Sequence, residues 1–251
     1  MKRMDFEIEI CAGNLMSVTE AAKGGADRVE LCENLHEGGT TPSIGTIKTA
    51  KEICNIDVYV LIRPRGGNFV YTDTEMAVML HDIEQAVKFG ADGIVLGSLR
   101  ADGSVNTEQC QRLIEKAKGL PITFHRAFDV VSEPLKSLDL LKSMGVQRVL
   151  TSGQANVAAE GSDMLRKLNA AAGQDLRIMA ASGVSETNVR QLAAETGVRS
   201  FHASMRTLIS SSISYSYQKI RFNSINSIPE NCLKVSNSTK IKELITKLEE
   251  L

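Results

Sequence analysis

Short runs that alternate apolar and polar residues recur along the chain, separated by segments with helical periodicity. Each helical segment repeats apolar residues every three or four positions, as expected for a helix that buries one face. Strands that alternate with helices through short links predict a parallel sheet with right-handed crossovers. The eight predicted strands are residues 6–11, 28–33, 58–64, 93–99, 122–128, 148–153, 177–182 and 200–205.

Two of the predicted helices carry clear start and stop signals. One begins after Thr74 as its N-cap and stops at Gly90. The other starts at Ser185 and stops at Gly197. Four helices end in a glycine followed directly by the next strand, which predicts short connections into the sheet.

Eight strand–helix units in about 200 residues favour an α/β fold of the (β/α)8 TIM barrel type. The alternative is a doubly wound sheet that does not close into a barrel, because the sequence pattern indicates the sixth and eighth strands only weakly. We predict a single domain with the barrel at 1–206 and a C-terminal extension at 207–251. The extension is interpreted as a short helical appendage whose helix is capped at Ser238 or Thr239.

The alternation within each strand predicts which side chains face the barrel interior. In the first two strands the aliphatic residues must pack against helices, so Glu9, Cys11, Glu30 and Cys32 are expected to point inward. The third and fifth strands are predicted to direct further polar residues to the interior or the mouth, namely Arg63, Arg65, Thr123 and His125.

Charged residues inside a barrel need partners, because barrel interiors are normally filled by aliphatic side chains. One interpretation is a structural ion-pair network of Glu9, Glu30 and Arg63. The other is a binding or catalytic site at the C-terminal mouth, and a network at mid-barrel is compatible with a site above it.

The loops after the later strands add polar candidates at the mouth. Arg126 and Asp129 follow the fifth strand. The segment Ser182, Gly183 and Val184 follows the seventh, where such barrels often hold a phosphate with glycine amides and a helix N-terminus. The alternative for this segment is a tight turn with a helix cap.

The composition excludes several classes of partner. The 29 Lys and Arg against 30 Asp and Glu give a net charge of −1, so nucleic acid and anionic membranes are not expected partners. No apolar run approaches the roughly 18 residues that span a membrane, and the N-terminus has no signal-peptide core. Five cysteines without CxxC spacing argue against a disulfide framework. We expect a cytoplasmic protein with reduced thiols.

Cys11 and Cys32 end two strands that are neighbours along the chain. Because neighbouring strands lie about 4.8 Å apart, the two sulfurs can approach each other. A thiolate pair in a reducing compartment suits a soft ion such as Cu(I), whereas zinc needs further ligands that no CxxC or HxxxH motif supplies. The alternative is that both are buried core cysteines.

Several phrases resemble the CutC copper homeostasis family: "ADRVELCENLHEGGTTPS", "IRPRGGNFVYTDTE", "GIVLGSLRADGSV" and "ITFHRAFD", joined by "RVLTSG" and "ASGVSETNV". The resemblance covers roughly residues 6 to 206. It implies a (β/α)8 barrel, cytoplasmic copper handling, Cu(I) ligands at Cys11 and Cys32, and a homodimer or larger homo-oligomer. The last 30 residues depart from the family pattern.

Three functions follow from these observations. The first is Cu(I) binding for copper homeostasis. The second is a TIM-barrel enzyme that acts on a small anionic or phosphorylated metabolite at the mouth, and the third is a structural oligomer with a satisfied polar core. For the enzyme the candidate catalytic residues are Glu30, Arg63, His125 and Asp129, and the candidate anion-binding residues are Arg65, Arg126, Ser182, Gly183 and Val184.

Overall fold

The computed structural model describes residues 6–213 and 228–251 of the chain. Eight parallel strands pair in chain order, and the eighth pairs with the first, so the sheet closes into a barrel. The predicted (β/α)8 fold is therefore confirmed. The strands are β1 (Glu7–Ala12), β2 (Arg28–Leu31), β3 (Asp57–Leu61), β4 (Gly93–Leu96), β5 (Ile122–Phe124), β6 (Arg148–Thr151), β7 (Arg177–Ala180) and β8 (Ser200–Ala203).

A ring of helices surrounds the barrel and packs against the outward aliphatic residues of the strands. Within residues 6–213 and 228–251, no helix combines the length and the hydropathy needed to cross a membrane. The helices are α1 (Leu15–Gly24), α2 (Ile44–Ile53), α3 (Asp73–Lys88), α4 (Thr107–Lys116), α5 (Pro134–Ser143), α6 (Ser162–Ala172), α7 (Val189–Thr196) and α8 (Ser238–Glu249).

Seven of the eight strands end earlier than the alternation predicts, on the side of the mouth, whereas β1 runs to Ala12, one residue past its predicted end. Strand β3 ends at Leu61 and not at residue 64, and β5 gives way to a 3-10 helix at Arg126–Val130. Just beyond these ends a few backbone bonds between neighbouring strands continue, and side chains then accept from the backbone. The Arg63 amide, for example, donates to the Thr41 hydroxyl at 2.9 Å.

Three predicted helix starts are wrong by one to three residues. Helix α8 is capped by Asn237 and not by Ser238 or Thr239, because the Asn237 side chain accepts from the Thr239 and Lys240 amides at 3.0 and 3.1 Å. Helix α3 is capped by Thr72 and not by Thr74, because Thr72 and Glu75 form a reciprocal capping box. Helix α7 begins at Val189, and the Ser185 amide instead donates to the Asn188 side chain at 2.9 Å.

The chain after β8 returns to the barrel wall. An antiparallel pair, β9 (Arg206–Ser210) and β10 (Cys232–Ser236), leads into α8, which packs between α7 and α1. Residues 214–227 of the predicted extension lie outside the described residues. The boundary at residue 206 stays a prediction. The side chains that α8 buries in the main core are Ile241, Leu244, Ile245 and Leu248.

Candidate functional site

The strand register brings three ionisable side chains together in the barrel interior. Glu9 of β1 lies opposite Arg28 of β2 on one side and opposite His202 of β8 on the other. Glu9 is fully buried, and it accepts from Arg28 Nε at 2.6 Å and lies 2.7 Å from His202 Nδ1. Burial alone would raise the pKa of Glu9, but Arg28 and His202 together hold it at about 2. Glu9 is therefore a buried carboxylate ion.

A second carboxylate continues this network toward the amino end of the barrel. Glu7 contacts Arg28, Arg148 and Ser200, with the Arg148 Nη2 atom 3.1 Å away and the Ser200 hydroxyl 2.8 Å away. These cations hold the pKa of Glu7 well below its usual range in spite of its burial. Arg148 also donates to the Tyr59 hydroxyl at 3.1 Å. The interior is a chain of alternating charges where most such barrels are aliphatic.

The predicted ion-pair network of Glu9, Glu30 and Arg63 is wrong about its cation, because Arg63 does not pair with Glu9. Arg63 is buried, but its guanidinium donates to the carbonyls of Glu37, Gly39 and Gly67 at 2.7 to 2.8 Å. The partners of Glu9 are instead Arg28 and His202, neither of which was predicted. The alternation that turns Glu30 inward also turns Arg28 inward, so its orientation could have been predicted, but its pairing with Glu9 follows from the register between β1 and β2.

The two predicted thiols meet at the carboxyl ends of β1 and β2. The Cys11 and Cys32 sulfurs lie 3.6 Å apart, and Cys32 also contacts the Ala12 carbonyl at 3.6 Å. Cys32 is fully buried, whereas Cys11 keeps 9% of its surface exposed. Both cysteines are free.

The environment makes the two thiols unequal. Hydrogen bonding from Cys32 lowers the pKa of Cys11 against the effect of burial, with further help from His202 and the positive charge of Arg206. The hydrogen bond to Cys11, together with burial, raises the pKa of Cys32. Cys11 is therefore the thiol of the pair that loses its proton more readily, and Cys32 the one that keeps it.

Glu30 completes a group of donor atoms around the thiols. One oxygen of Glu30 and the sulfurs of Cys11 and Cys32 all lie within 4.8 Å of one another. Its other near neighbour is His202 Nε2, 3.7 Å from Glu30 Oε2. Burial, joined by the negative charges of Cys11 and Glu9, raises the pKa of Glu30 to about 8 in spite of the opposing effect of His202.

His125 lies apart from the thiol group, beside the buried Arg63. Its Nδ1 accepts from the Ala127 amide at 3.1 Å, and its ring packs against Phe69 at 4.9 Å between centroids. Within the described residues His125 Nε2 is buried and has no hydrogen-bond partner. Burial, reinforced by Arg63, lowers the pKa of His125 to about 3, so the ring is neutral.

Three further predicted residues brace the loops of the mouth. Arg65 pairs with Glu75 and donates to loop carbonyls, including that of Asn68 at 2.9 Å. Arg126 Nε donates to Asp129 at 2.7 Å. The other oxygen of Asp129 accepts from the Ser152 amide at 2.9 Å, so this carboxylate joins two loops.

The predicted phosphate segment forms a turn that is packed against the preceding loop. Ser182 has a left-handed backbone, and its hydroxyl donates to the Asn156 carbonyl at 2.7 Å. The Gly183 carbonyl accepts from the Asn188 side chain at 2.7 Å, and Val184 is buried. The structure thus brings together Cys11, Cys32 and Glu30, while the other candidates form separate groups.

The fold and the site define a (β/α)8 barrel with a thiol pair and a carboxyl group at the carboxyl ends of its first two strands. The family model of the CutC family matches residues 6–207. The chain therefore belongs to the CutC family, as its sequence phrases predicted.

Two relatives and one solved structure are similar to this protein over most of its chain. The copper homeostasis protein cutC homolog of Homo sapiens is 40% identical over 239 residues, which are 95% of this chain and 88% of that protein. A family protein CutC of Chromobacterium violaceum is 46% identical over 212 residues, 84% of this chain and 86% of its own. The crystal structure of the putative copper homeostasis protein CutC from Streptococcus agalactiae superposes with a TM-score of 0.76 at 41% identity, covering 79% of this chain and 98% of that one.

Proposed function

We propose that this protein binds one Cu(I) ion through Cys11 and Cys32 as a copper homeostasis protein of the cytoplasm. The observation that carries the proposal is the 3.6 Å separation of the two sulfurs inside the barrel. Thiolate–metal bonds are about 2.3 Å long, so two sulfurs less than about 4.6 Å apart can share one ion. Similarity to a relative named for copper homeostasis also supports a role in copper binding.

The donor chemistry of the pair fits a soft monovalent cation. A metal binds thiolates, and the lowered pKa of Cys11 makes its thiol the easier of the two to ionise, whereas the raised pKa of Cys32 opposes the loss of its proton. Thiolates prefer Cu(I) over hard cations such as Mg²⁺. The positive charge of Arg206 beside both sulfurs limits the cost of a second thiolate.

The strand register argues for a shared ion over a disulfide. Cys11 pairs directly with Glu30, so Cys32, the first residue after β2, lies two residues further along the chain than the partner of Cys11. A sideways step of about 4.8 Å and a step of about 6.6 Å along the strand separate the two Cα atoms by roughly 8 Å. Cα atoms more than about 7 Å apart do not form a disulfide without backbone movement.

An anaerobic Cu(I) titration against a competing chelator tests this proposal. We expect one tightly bound ion per chain in the wild type and its loss in Cys11→Ser and in Cys32→Ser. Cys54→Ser is the matched control, because Cys54 lies at the end of α2, away from the thiol pair. Equal, weak binding by all four proteins would contradict the proposal.

The location and the assembly are part of the same proposal. Free, reduced cysteines suit the cytoplasm. A homodimer or larger homo-oligomer would cover apolar surface such as Ile44 and Val78, which are nearly half exposed beside one groove. Light scattering after size-exclusion chromatography measures the number of subunits, and a mass of one chain would contradict this part.

A second candidate is an enzyme that takes a small anionic or phosphorylated ligand at the mouth. The observation that favours it is the buried Nε2 of His125, which has no partner among residues 6–213 and 228–251. The catalytic and anion-binding roles of the mouth residues stay predictions. Thermal unfolding with and without phosphate tests it: a stabilisation that His125→Ala removes supports a ligand site, and no stabilisation of the wild type argues against it.

A further inference from the structure

Arg63 is a buried cation at the mouth of the barrel, and all of its hydrogen-bond partners are neutral. Its Nη1 donates to the Glu37 and Gly39 carbonyls, and its Nη2 to the Gly67 carbonyl, at 2.7 to 2.8 Å. In the part of the chain that the structure describes, no carboxylate forms an ion pair with Arg63, and its buried Nε has no hydrogen-bond partner. A buried charge is costly without a counter-ion, so an anion would complete this arrangement.

His125 offers a second unused group, and the backbone fixes which of its ring nitrogens carries the proton. The Ala127 amide donates to His125 Nδ1 at 3.1 Å, so Nδ1 presents a lone pair and no proton. The neutral ring therefore holds its proton at Nε2. This Nε2 is buried and has no partner among residues 6–213 and 228–251. His125 thus presents a hydrogen-bond donor to a ligand, and not a base.

The imidazole of His125 is held in one orientation over the ends of the strands. A Cβ atom on Gly97, the residue after β4, would lie 2.7 Å from both Cε1 and Nδ1 of His125, so only a glycine fits beneath the ring. The ring therefore leaves β5 and lies across the end of β4, on the side of β3 and Arg63. The Phe69 centroid lies 4.9 Å from the His125 centroid and 5.1 Å from Arg63 Cζ. The two unused donors thus flank one phenyl ring.

We propose that Arg63 and His125 bind a small carboxylic acid that carries a second oxygen beside the carboxylate, as 2-hydroxy and 2-oxo acids do. The carboxylate would accept from Arg63 Nε, and the second oxygen would accept from His125 Nε2. This inference rests on the second candidate function, a small anionic ligand at the mouth. It names the class of that ligand and the two residues that select it.

The pairing of the other mouth arginines favours Arg63 as the anion-binding residue. Arg65 pairs with Glu75, and Arg126 Nε pairs with Asp129 at 2.7 Å. Of the three arginines predicted at the mouth, Arg63 is the one whose charge has no carboxylate partner within the described residues. Two unused N–H groups match an acid with two oxygen acceptors, whereas the oxygens of a phosphate need more donors than these.

Three probe compounds separate the two contacts. Lactate carries both the carboxylate and the second oxygen, propionate lacks the hydroxyl, and lactamide lacks the charge. The rise in unfolding temperature with the concentration of each compound measures its affinity. We expect propionate to bind about 5- to 10-fold more weakly than lactate, because it loses one hydrogen bond to a neutral group. Lactamide should bind at least about 10-fold more weakly, because it loses a bond to a charged group.

The protonation of His125 has its own test in the wild type. Heteronuclear NMR of protein labelled at its histidine nitrogens distinguishes a protonated ring nitrogen from a bare one. We expect a protonated Nε2 and a bare Nδ1 for His125 at neutral pH, and lactate should move the Nε2 signal. His125→Asn removes this signal and so assigns it.

Variants of the two residues test their separate roles. His125→Asn keeps an oxygen that can accept from the Ala127 amide but removes the donor at Nε2, so lactate should lose its advantage over propionate. His125→Gln places an amide nitrogen near the position of Nε2 and should restore part of that advantage. Arg63→Gln should weaken lactate and propionate alike. Arg166→Gln is the control that should bind lactate as the wild type does, because Arg166 pairs with Asp163 on the surface.

The outcomes separate this inference from the proposed functions. A His125 ring protonated at Nδ1, or equal affinities of the wild type for lactate and propionate, would overturn it. These two measurements need only the wild type, so they decide the matter even if a variant does not fold. Stabilisation by phosphate alone that survives His125→Asn would keep a ligand at the mouth and overturn only the acid proposed here. The Cu(I) titration contains no acid, so copper binding holds or fails independently.

Discussion

Glu30 is a carboxyl group that the barrel keeps protonated at neutral pH. Its pKa in the folded protein is about 8, whereas that of an unfolded glutamate is close to 4.5. Between these two values the folded state binds one more proton than the unfolded state, so the stability falls as the pH rises. Above pH 8 the fold has to hold an ionised Glu30 in the buried interior beside Cys11.

The first prediction concerns the Glu30→Gln variant, which keeps the shape and removes the titration. We expect it to match the wild type near pH 5 and to be more stable by roughly 2 to 4 kcal/mol near pH 8, since each unit of pKa difference corresponds to about 1.4 kcal/mol. Urea unfolding at both pH values measures the difference. Equal pH dependence in the two proteins would contradict it.

The second prediction concerns the stability of the Arg28→Met variant. Arg28 is buried between Glu7 and Glu9, so Arg28→Met would leave two carboxylates without their shared cation. We expect a loss of about 3 to 5 kcal/mol in the free energy of unfolding, as for other buried pairs that lose one member. Lys136→Met is the control: it breaks an ion pair whose lysine is 78% exposed, and it should cost less than about 0.5 kcal/mol. Similar losses in both variants would show that Arg28 has no special role.

The sequence predicted part of the site at the level of single residues. Alternation within β1 and β2 correctly turned Glu9, Cys11, Glu30 and Cys32 into the barrel, because the period of a strand is two. It did not identify the cation that pairs with Glu9. That partner depends on the register between strands, which sequence periodicity does not contain.

Helices α1 and α8 come into close contact at Gly24. A Cβ atom on Gly24 would lie 2.7 Å from the Cβ of Ile241, too close for any real contact. The glycine therefore sets how near the C-terminal helix comes to the barrel.

The third prediction compares two glycines in helices. Gly24→Ala should destabilise the protein by about 1 to 3 kcal/mol, because it forces the side chains between α1 and α8 apart. Gly45→Ala in α2 is the control: its Cβ would meet nothing closer than 3.9 Å, so stability should stay the same or rise by up to about 1 kcal/mol. Thermal unfolding measures both, and equal effects would argue against the tight contact.

Elements were predicted better at their centres than at their ends. The eight strands all lie where the pattern places them, because a central stretch of alternation is a strong signal. The ends depend on individual hydrogen bonds, such as the Thr72–Glu75 capping box that starts α3. Ser185 was a reasonable cap by residue type, but Asn188 occupies that position beside Val189.

The whole molecule depends on its last helix to complete the ring. The four buried side chains of α8 contribute on the order of 6 to 12 kcal/mol, at about 1.5 to 3 kcal/mol for each. This is comparable with the total stability of a typical domain, about 5 to 15 kcal/mol.

The fourth prediction therefore concerns truncation. A chain that ends at residue 206 should lose cooperative thermal unfolding, because α1 and α7 would expose the apolar surface that α8 covers. Removal of Leu251 alone, which is 38% exposed, is the control and should leave the transition unchanged. A cooperative transition in the shorter chain would show that the predicted barrel at 1–206 is independent of the extension.

Among the features of the whole molecule, the closure of the barrel between β1 and β8 is the one that the sequence predicts least directly. The count of eight strand–helix units indicates a closed sheet, but it does not show which residues meet where β1 joins β8. That join brings Glu7 beside Ser200 and Glu9 beside His202. Glu7 and Glu9, near the start of the chain, thus have partners in β8, near its other end.

This join has a consequence for synthesis on the ribosome. Glu9 and His202 are 193 residues apart, and at about 5 to 20 residues per second the ribosome needs roughly 10 to 40 s to make the chain between them. During that interval the first strand has no closing neighbour, so its acids and the Cys11 thiol stay open to water. The nascent chain therefore exposes to metals and oxidants a group that the finished barrel nearly encloses.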